Sequence, residues 1–177
     1  MLRIISGRYK NRRLEAPKSD TRPTKDMVKE ALFSSIGFLN EEMSLLDLFA
    51  GSGAIALEAI SRGIGRVLMN DRDKDAYLVI RKNAAQFEGD IEIKNLDYRA
   101  CLDTVERPFD IIFLDPPYDF DHDELISDVL ASKAYSKRSI IILEVKKGTI
   151  IKEQETIEIY KKKDYGISTL YYLRSKQ

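Results

Sequence analysis

Short apolar segments alternate with amphipathic ones between residues 44 and 145, and this alternation constrains the fold more than any other feature of the chain. The apolar segments fit buried strands, and the segments between them place apolar residues at helical spacing. Strands that alternate with helices form a parallel sheet covered on both faces, and right-handed crossovers favour a doubly wound topology. The predicted strands are 44–49, 66–70, 91–95, 109–114 and 139–145, and the predicted helices are 54–61, 74–87, 98–105 and 123–131.

The C-terminal part of the chain departs from this alternation. Two segments with alternating apolar residues, 155–160 and 167–173, flank Asp164, Tyr165 and Gly166. This pattern predicts a hairpin, which we place at one edge of the sheet. The predicted fold is therefore α/β, a doubly wound, mostly parallel seven-stranded sheet with a C-terminal antiparallel hairpin.

The N-terminal part has a different character. Segments 2–6 and 12–16 predict a small hairpin, and apolar residues at helical spacing predict a helix over 26–38. A chain of 177 residues has the length of one domain with a sizeable core. We expect a basic hairpin arm, residues 1–24, followed by one α/β domain, residues 25–177.

Composition excludes several classes of protein. The single cysteine, Cys101, rules out a disulfide within the chain and a metal site of several cysteines. No apolar stretch approaches the roughly 20 residues that cross a bilayer, and the N-terminus lacks a signal-peptide core. We expect a cytoplasmic protein with no membrane partner. The acidic run 119–124 holds the only histidine, His122, but acids favour a helix start, so we expect no metal there.

The charge is balanced in total but not along the chain. The 29 Lys and Arg residues and 29 Asp and Glu residues give a formal net charge of 0. Residues 1–29 carry a net charge of +6, residues 30–145 carry −10 and residues 146–177 carry +4. Basic ends around an acidic centre indicate either a polyanionic partner for the ends or two solvated surfaces.

A glycine-containing turn follows the first predicted strand. The sequence Asp47-Leu-Phe-Ala-Gly-Ser-Gly53 passes from that strand into a helix. Glycines let the backbone approach a ligand, and a helix N-terminus offers unpaired N–H groups to a negative group. With Ala56 the pattern becomes G-x-G-x-x-A, which also fits the dinucleotide fingerprint. The turn indicates a nucleoside-bearing cofactor without saying which one.

Two acidic residues lie at the expected distances for binding such a cofactor. Asp71 stands 20 positions after Gly51, at the end of the second strand, where a carboxylate accepts from both hydroxyls of a ribose. Asp97, just beyond the third strand, is placed either to meet an adenine amino group or to cap the next helix. The sequence leaves both roles of Asp97 open.

The sequence Asp115-Pro-Pro-Tyr118 directly follows the fourth strand. An exocyclic base amine is a poor nucleophile because its lone pair is delocalised into the ring. A carboxylate and a carbonyl that accept its hydrogen bonds favour a pyramidal nitrogen, and two prolines hold that carbonyl still. The tyrosine ring offers a stacking face for an extruded base. This tetrad favours transfer to a base amine and is not needed by a nicotinamide dehydrogenase.

The glycine turn and the tetrad together resemble the motif pair of class I S-adenosylmethionine-dependent amino-methyltransferases. More narrowly, the chain is similar to the RsmD-type methylases, which methylate the N2 amine of a guanine in small-subunit (16S) ribosomal RNA. The resemblance extends over nearly the whole chain. The further stretches that carry it are 3–8, 21–24, 28–33, 56–63 and 143–148, with Asn83 and 165–166.

The resemblance implies S-adenosylmethionine as the cofactor and a role for each motif. Asp71 would bind the ribose, Asp97 would lie by the adenine, and 22–24 would close over the cofactor. This family usually carries glutamate at the ribose position, where the chain has the shorter Asp71. The implied cofactor-binding residues are Asp47, Phe49, Ala50, Gly51, Ser52, Gly53, Asp71, Asp97, Arg22 and Thr24. The implied catalytic residues are Asp115, Pro116, Pro117 and Tyr118.

An RNA substrate would also give the basic arm a role. Four cations interleaved with Tyr9 would grip phosphates beside the base pocket, and the lysines of 161–163 would either add to them or only solubilise an edge. The expected partner is ribosomal RNA or a partly assembled small subunit, bound by a monomer without a metal. The four cations are Arg8, Lys10, Arg12 and Arg13.

The residues alone leave three alternatives open. The tetrad suits any exocyclic amine, so the target could be adenine N6 or cytosine N4, in DNA or in another RNA. The chain could instead be a non-catalytic RNA-binding assembly factor that keeps the fold. A dehydrogenase remains an interpretation only if nicotinamide cofactors bind in preference.

Overall fold

The computed structural model describes residues 2–18 and 26–176. None of the helices in this part of the chain is long and apolar enough to cross a membrane. The elements, in chain order, are α1 (Asp26–Ile36), β1 (Ser44–Asp47), α2 (Ala54–Ser61), β2 (Arg66–Asn70), α3 (Lys74–Ala84), β3 (Asp90–Lys94), α4 (Tyr98–Asp103), β4 (Ile111–Leu114), α5 (His122–Ala131), β5 (Ile140–Lys146), β6 (Ile157–Tyr165) and β7 (Ser168–Ser175).

The seven strands form one sheet in the order β3-β2-β1-β4-β5-β7-β6. Strands β1 to β5 run parallel, and β7 is antiparallel to both β5 and β6. Side chains of the inner strands alternate between two apolar cores, so that Leu45 enters one core and Leu46 the other. The predicted doubly wound α/β sheet with an antiparallel edge is confirmed.

The C-terminal hairpin turns two residues later than predicted. Tyr165 pairs with Ser168, so the loop contains only Gly166 and Ile167, and Asp164 belongs to β6. Gly166 has a φ of 58°, which suits the first position of a two-residue hairpin loop. The loop forms there because glycine accepts that conformation without steric cost.

The N-terminal arm forms a hairpin with a single bridge, between Arg3 and Arg13, instead of two strands. Three backbone hydrogen bonds cross the hairpin, from the N–H groups of Ile4, Asn11 and Leu14 to the carbonyls of Arg12, Ile4 and Leu2. Four apolar side chains of the arm are buried in the same core as α2: Leu2, Ile4, Tyr9 and Leu14.

Glu58 of α2 anchors the arm. Its fully buried carboxylate accepts hydrogen bonds from the N–H groups of Ile5 at 2.8 Å and Ser6 at 3.0 Å, and it pairs with Arg62 at 2.9 Å. A buried carboxylate is stable only with such donors. These contacts therefore fix the arm on the helix, and the division of the chain at residue 24 stays a prediction.

Gly7→Ala is expected to lower the free energy of unfolding by roughly 2 to 4 kcal/mol. Gly7 has a φ of 81°, and an added Cβ would lie 1.8 Å from the carbonyl oxygen of Ser61, so the arm would have to leave α2. Gly148→Ala is the matched control, because Gly148 has a φ of 91° and its Cβ would meet no atom within 4 Å. Urea unfolding measures both variants, and equal losses would contradict the clash.

Candidate active site

A cavity of about 560 Å³ opens at the carboxyl ends of β1, β2, β4 and β5. Parallel sheets bind ligands at this edge, where the strand order reverses. Five carboxylates and one cation are among the residues described along its wall, so the cavity is acidic. The carboxylates are Asp71, Asp73, Asp97, Asp115 and Glu144, and the cation is Arg72.

The turn between β1 and α2 forms one wall of the cavity. Phe49, Ala50, Gly51 and Ser52 line it, as predicted. Gly53 lies behind them with a φ of 78°, and a Cβ there would approach the Met69 sulfur to 2.9 Å. No side chain caps α2, so its first N–H groups are available to a negative group of a ligand.

Asp71 fixes the backbone of this turn by a hydrogen bond and also lines the cavity. Its Oδ2 accepts a hydrogen bond from the Gly51 N–H at 2.9 Å, and its Oδ1 accepts one from the Asp73 N–H at 2.9 Å. Burial raises the pKa of Asp71, and these two N–H groups oppose that rise. Each oxygen keeps a second lone pair, so the carboxylate can still accept from ligand hydroxyls.

Asp47 does not line the cavity. It lies behind the turn with 1% of its surface exposed. Burial, together with the neighbouring charge of Asp71, raises the pKa of Asp47 to about 8, and the backbone N–H of Ala56 in α2 opposes that rise. Asp47 would therefore influence a cofactor through the turn and not by contact.

An aromatic cluster forms the wall on the α4 side. The rings of Phe49, Tyr98 and Phe120 lie 5.4 to 5.8 Å apart, centroid to centroid. Asp97 stands beside them and caps α4 by accepting from the Arg99 N–H at 3.0 Å. Asp97 is exposed and lines the cavity, so the cap does not exclude contact with a nucleobase. Sequence reasoning missed Phe120, although it follows the tetrad by only two positions.

A buried asparagine, Asn70, joins the ends of three neighbouring strands. Its Nδ2 donates to the carbonyls of Leu48 at 3.2 Å and Leu96 at 3.0 Å, and its Oδ1 accepts from the Leu96 N–H at 3.2 Å. Three hydrogen bonds from one side chain hold the loops after β1 and β3 at fixed positions. The sequence gives no signal for this role beyond an amide at a strand end.

The tetrad 115–118 follows β4, the strand that pairs directly with β1, so it lies beside the start of the glycine turn. Asp115 and Pro116 follow β4, Pro116 is buried, and Tyr118 is 37% exposed at the mouth. The Pro117 carbonyl accepts from the Phe120 N–H at 3.1 Å, which closes a turn over residues 117–120 at the end of the tetrad. The structure thus brings all four predicted residues to one wall of the cavity. It adds Glu144 of β5 beside them, which sequence reasoning missed as a site residue.

The cations at the tip of the basic arm do not lie beside the tetrad. The Arg8 N–H donates to the carbonyl of Ser61, the last residue of α2, at 2.7 Å, and the Arg8 side chain pairs with Glu88 at 2.7 Å. Arg12 donates to the Gln86 carbonyl. The eight residues of α2 separate these contacts from the glycine turn, a distance of roughly 10 Å. The predicted position beside the base pocket is therefore wrong for Arg8 and Arg12, whose segment docks at the far end of α2, although Pro17 of the same arm lines the cavity.

Two predicted residues, Arg22 and Thr24, lie outside the described residues. Lys10 and Arg13 are exposed on the arm. Asp121 accepts from the Glu124 N–H at 2.9 Å and caps α5, which confirms that the acidic run starts a helix.

The family model described as "Conserved hypothetical protein 95" matches residues 2–174. Ribosomal RNA small subunit methyltransferase D of Haemophilus influenzae is 32% identical over 173 residues, which cover 94% of this chain and 90% of that protein. The chain belongs to the RsmD family of S-adenosylmethionine-dependent methyltransferases.

Two further relatives of this RsmD-family methyltransferase agree with that assignment. Ribosomal RNA small subunit methyltransferase D of Buchnera aphidicola (Acyrthosiphon pisum) is 33% identical over 167 residues, covering 90% of this chain and 86% of that protein. The solved structure of the Escherichia coli protein yhhF has a TM-score of 0.86 at 26% identity, covering 99% of this chain and 98% of that chain. The likeness extends along the full fold, the arm included.

The cofactor of the RsmD-family methyltransferase is S-adenosylmethionine, and the cavity fits it. A volume of about 560 Å³ lies within the usual range for small-molecule sites, roughly 300 to 1,000 Å³. The aromatic cluster suits an adenine, the Asp71 carboxylate suits ribose hydroxyls, and the acidic wall suits a positive sulfonium.

Asp71→Asn is expected to weaken S-adenosylmethionine binding by about tenfold to a hundredfold, because an amide cannot accept from two backbone N–H groups and two hydroxyls. Titration calorimetry measures the dissociation constant. Asp90→Asn, an exposed change at the start of β3, is the control. An unchanged affinity in the Asp71 variant would remove Asp71 from the ribose site.

Proposed function

We propose that this RsmD-family methyltransferase methylates the N2 amine of a guanine in small-subunit (16S) ribosomal RNA. The observation that carries the proposal is the position of the Asp115–Tyr118 segment on the wall of the cofactor cavity. Its carboxylate lies in the same cavity as the glycine turn, so an amine held there would face a methyl donor.

S-adenosylmethionine supplies an activated methyl group on a sulfonium. The chain has to hold the amine in line with that methyl and exclude water. The Asp115 carboxylate and the Pro116 carbonyl accept the two hydrogens of the base amine, which directs the nitrogen lone pair toward the donor. As the bond from the amine nitrogen to the methyl carbon forms, the methyl–sulfur bond would break and leave a neutral thioether, while Asp115 stabilises the positive charge on the nitrogen and takes up one of its protons. No side-chain nucleophile is needed.

Tyr118 and Pro117 are the exposed part of the tetrad and stand at the cavity mouth. A base that is turned out of its stack can lie against the tyrosine ring. Its ribose and phosphates would then remain outside the cavity, where exposed lysines lie on the side of β5 and β6. Four exposed lysines lie at or just after the last residue of β5 and near the end of β6: Lys146, Lys147, Lys162 and Lys163.

The basic arm would contact RNA phosphates farther from the target base. Its tip lies roughly 10 Å from the glycine turn, the length of α2. Arg8 and Arg12 stack on the Tyr9 ring, with guanidinium carbons 5.3 and 4.7 Å from its centroid. This stacking holds the two cations at the surface. The arm would therefore position the RNA without choosing the base.

The double variant Lys10→Ala, Arg13→Ala is expected to lower RNA affinity and to reduce the slope of log affinity against log salt by about 1 to 2, because each phosphate contact contributes nearly one unit. Binding is measured by fluorescence anisotropy at several salt concentrations. Lys137→Ala, Arg138→Ala is the control, since both side chains are exposed before β5. Equal slopes for the two double variants would show that the arm does not meet phosphates.

The proposed function is tested with labelled S-adenosylmethionine, naked 16S RNA and partly assembled small subunits. Label should enter one of these RNAs, and nucleoside analysis should give N2-methylguanosine. N6-methyladenosine or N4-methylcytosine would establish the same chemistry on another base. Cofactor binding without transfer to either substrate would leave a non-catalytic assembly factor.

A further inference from the structure

Glu144 and Asp115 occupy neighbouring positions on adjacent strands at the cavity. Leu114 of β4 pairs with Leu143 of β5 in a parallel ladder, so the next residue on each chain is again side by side. Neighbouring parallel strands lie about 4.8 Å apart, and in-register side chains face the same side of the sheet. Both carboxylates line the cavity.

Glu144 interrupts a strand that is otherwise apolar up to its last residue. The sequence of β5 is Ile-Ile-Ile-Leu-Glu-Val-Lys, and Glu144 is half-buried between two fully buried neighbours. β5 is an interior strand, between β4 and β7. Charged side chains are rare at such positions, and this one lies at the base-binding end of the cavity.

We propose that Glu144 accepts a hydrogen bond from the ring N1–H of the target guanine and so selects guanine over adenine and cytosine. This inference rests on the proposed function. On guanine the N2 amine and the N1–H are adjacent donors, and two neighbouring carboxylates match them: Asp115 for the amine and Glu144 for N1–H. Adenine and cytosine carry a ring nitrogen lone pair beside the amine, and a carboxylate would repel it.

The tetrad alone accepts any exocyclic amine, so selection of the base has to come from a second group. Glu144 supplies a negatively charged hydrogen-bond acceptor, which is what the N1–H group of guanine requires. A site built to bind an N–H group discriminates strongly against an analogue that lacks it, because its own polar group is left unpaired.

The test compares guanine with 2-aminopurine, placed at the position that nucleoside mapping with the wild type identifies. 2-Aminopurine keeps the N2 amine but has a lone pair at N1. The wild type should prefer guanine in kcat/KM by about a hundredfold or more. Glu144→Gln can donate to N1, so it should lose about tenfold on guanine and gain on 2-aminopurine. Its preference should shift by roughly a hundredfold.

Three further measurements serve as controls. Thermal unfolding and S-adenosylmethionine affinity should be the same in Glu144→Gln and in the wild type, and Glu106→Gln, an exposed change outside the cavity, should keep the wild-type preference. If the wild type methylates guanine and Glu144→Gln keeps its preference, this inference is overturned while the proposed function stands. If the wild type methylates no guanine, the proposed function itself fails.

Discussion

Asp115→Ala lowers kcat for methyl transfer by about a thousandfold or more, while the affinity for S-adenosylmethionine stays nearly unchanged. The expectation follows from the position of Asp115 after β4, where it lines the cavity and is separated from Asp71, the ribose-binding carboxylate, by the width of β1. Without the carboxylate the amine nitrogen stays planar and unaligned, and the positive charge that develops on it has no counterion. The contacts that bind S-adenosylmethionine are left in place, so the variant should lose methyl transfer but keep cofactor binding.

Single-turnover transfer of labelled methyl measures this effect, and calorimetry measures cofactor affinity. Asp121→Asn is the control, because asparagine keeps the helix cap at α5 and Asp121 does not line the cavity. Asp115→Asn keeps one acceptor oxygen and should fall between Asp115→Ala and the wild type. Full activity in Asp115→Ala would refute its assignment as the catalytic carboxylate.

Asp47→Asn makes the free energy of unfolding depend less on pH. Burial, with the charge of Asp71, raises the pKa of Asp47 to about 8, whereas an unfolded aspartate titrates near 3.9. Between these values the folded protein holds a proton that the unfolded chain releases. The contribution of Asp47 to the free energy of unfolding is therefore largest below pH 4. It is lost as the pH rises toward 8, at about 1.4 kcal/mol per pH unit.

Asparagine cannot ionise, so the variant avoids this loss. The free energy of unfolding of the variant, minus that of the wild type, should rise by roughly 3 kcal/mol between pH 5 and pH 7. Urea unfolding of the cofactor-free proteins at several pH values measures it, with Asp90→Asn as the exposed control. Parallel pH curves for Asp47→Asn and the wild type would show that Asp47 is already ionised at neutral pH.

The fold was predictable from sequence because its signals are local. Each buried strand, glycine turn and amphipathic helix is encoded within a few residues, and the parallel topology follows from their order. The same holds for Gly51, Asp71 and Asp115, each of which directly follows a predicted strand. Carboxyl ends of parallel strands meet at one edge, so these residues converge without any knowledge of side-chain packing.

The role of Glu144 and the position of the arm were not predictable, because they depend on contacts between segments that are distant in the sequence. Glu144 enters the site through the register between β4 and β5, which the sequence does not encode locally. The arm lies at the far end of α2 because Ser6 and Tyr9 bond to Glu58 and Ser61, more than 50 positions along the chain. A basic segment reveals its charge by composition, but its location is set by those partners.

Asn83 links the N-terminal arm to the wall of the cofactor cavity. On the arm, its buried side-chain amide accepts a hydrogen bond from the Glu15 N–H and donates one to the Glu15 carbonyl. In the glycine turn, the same amide donates to the Ser52 carbonyl at 2.9 Å. One side chain thus serves the arm and the cofactor wall together. A truncated chain that begins after the arm would lose RNA contacts and disturb the cofactor wall in the same step. Point changes at exposed arm cations are therefore the means of separating the two activities.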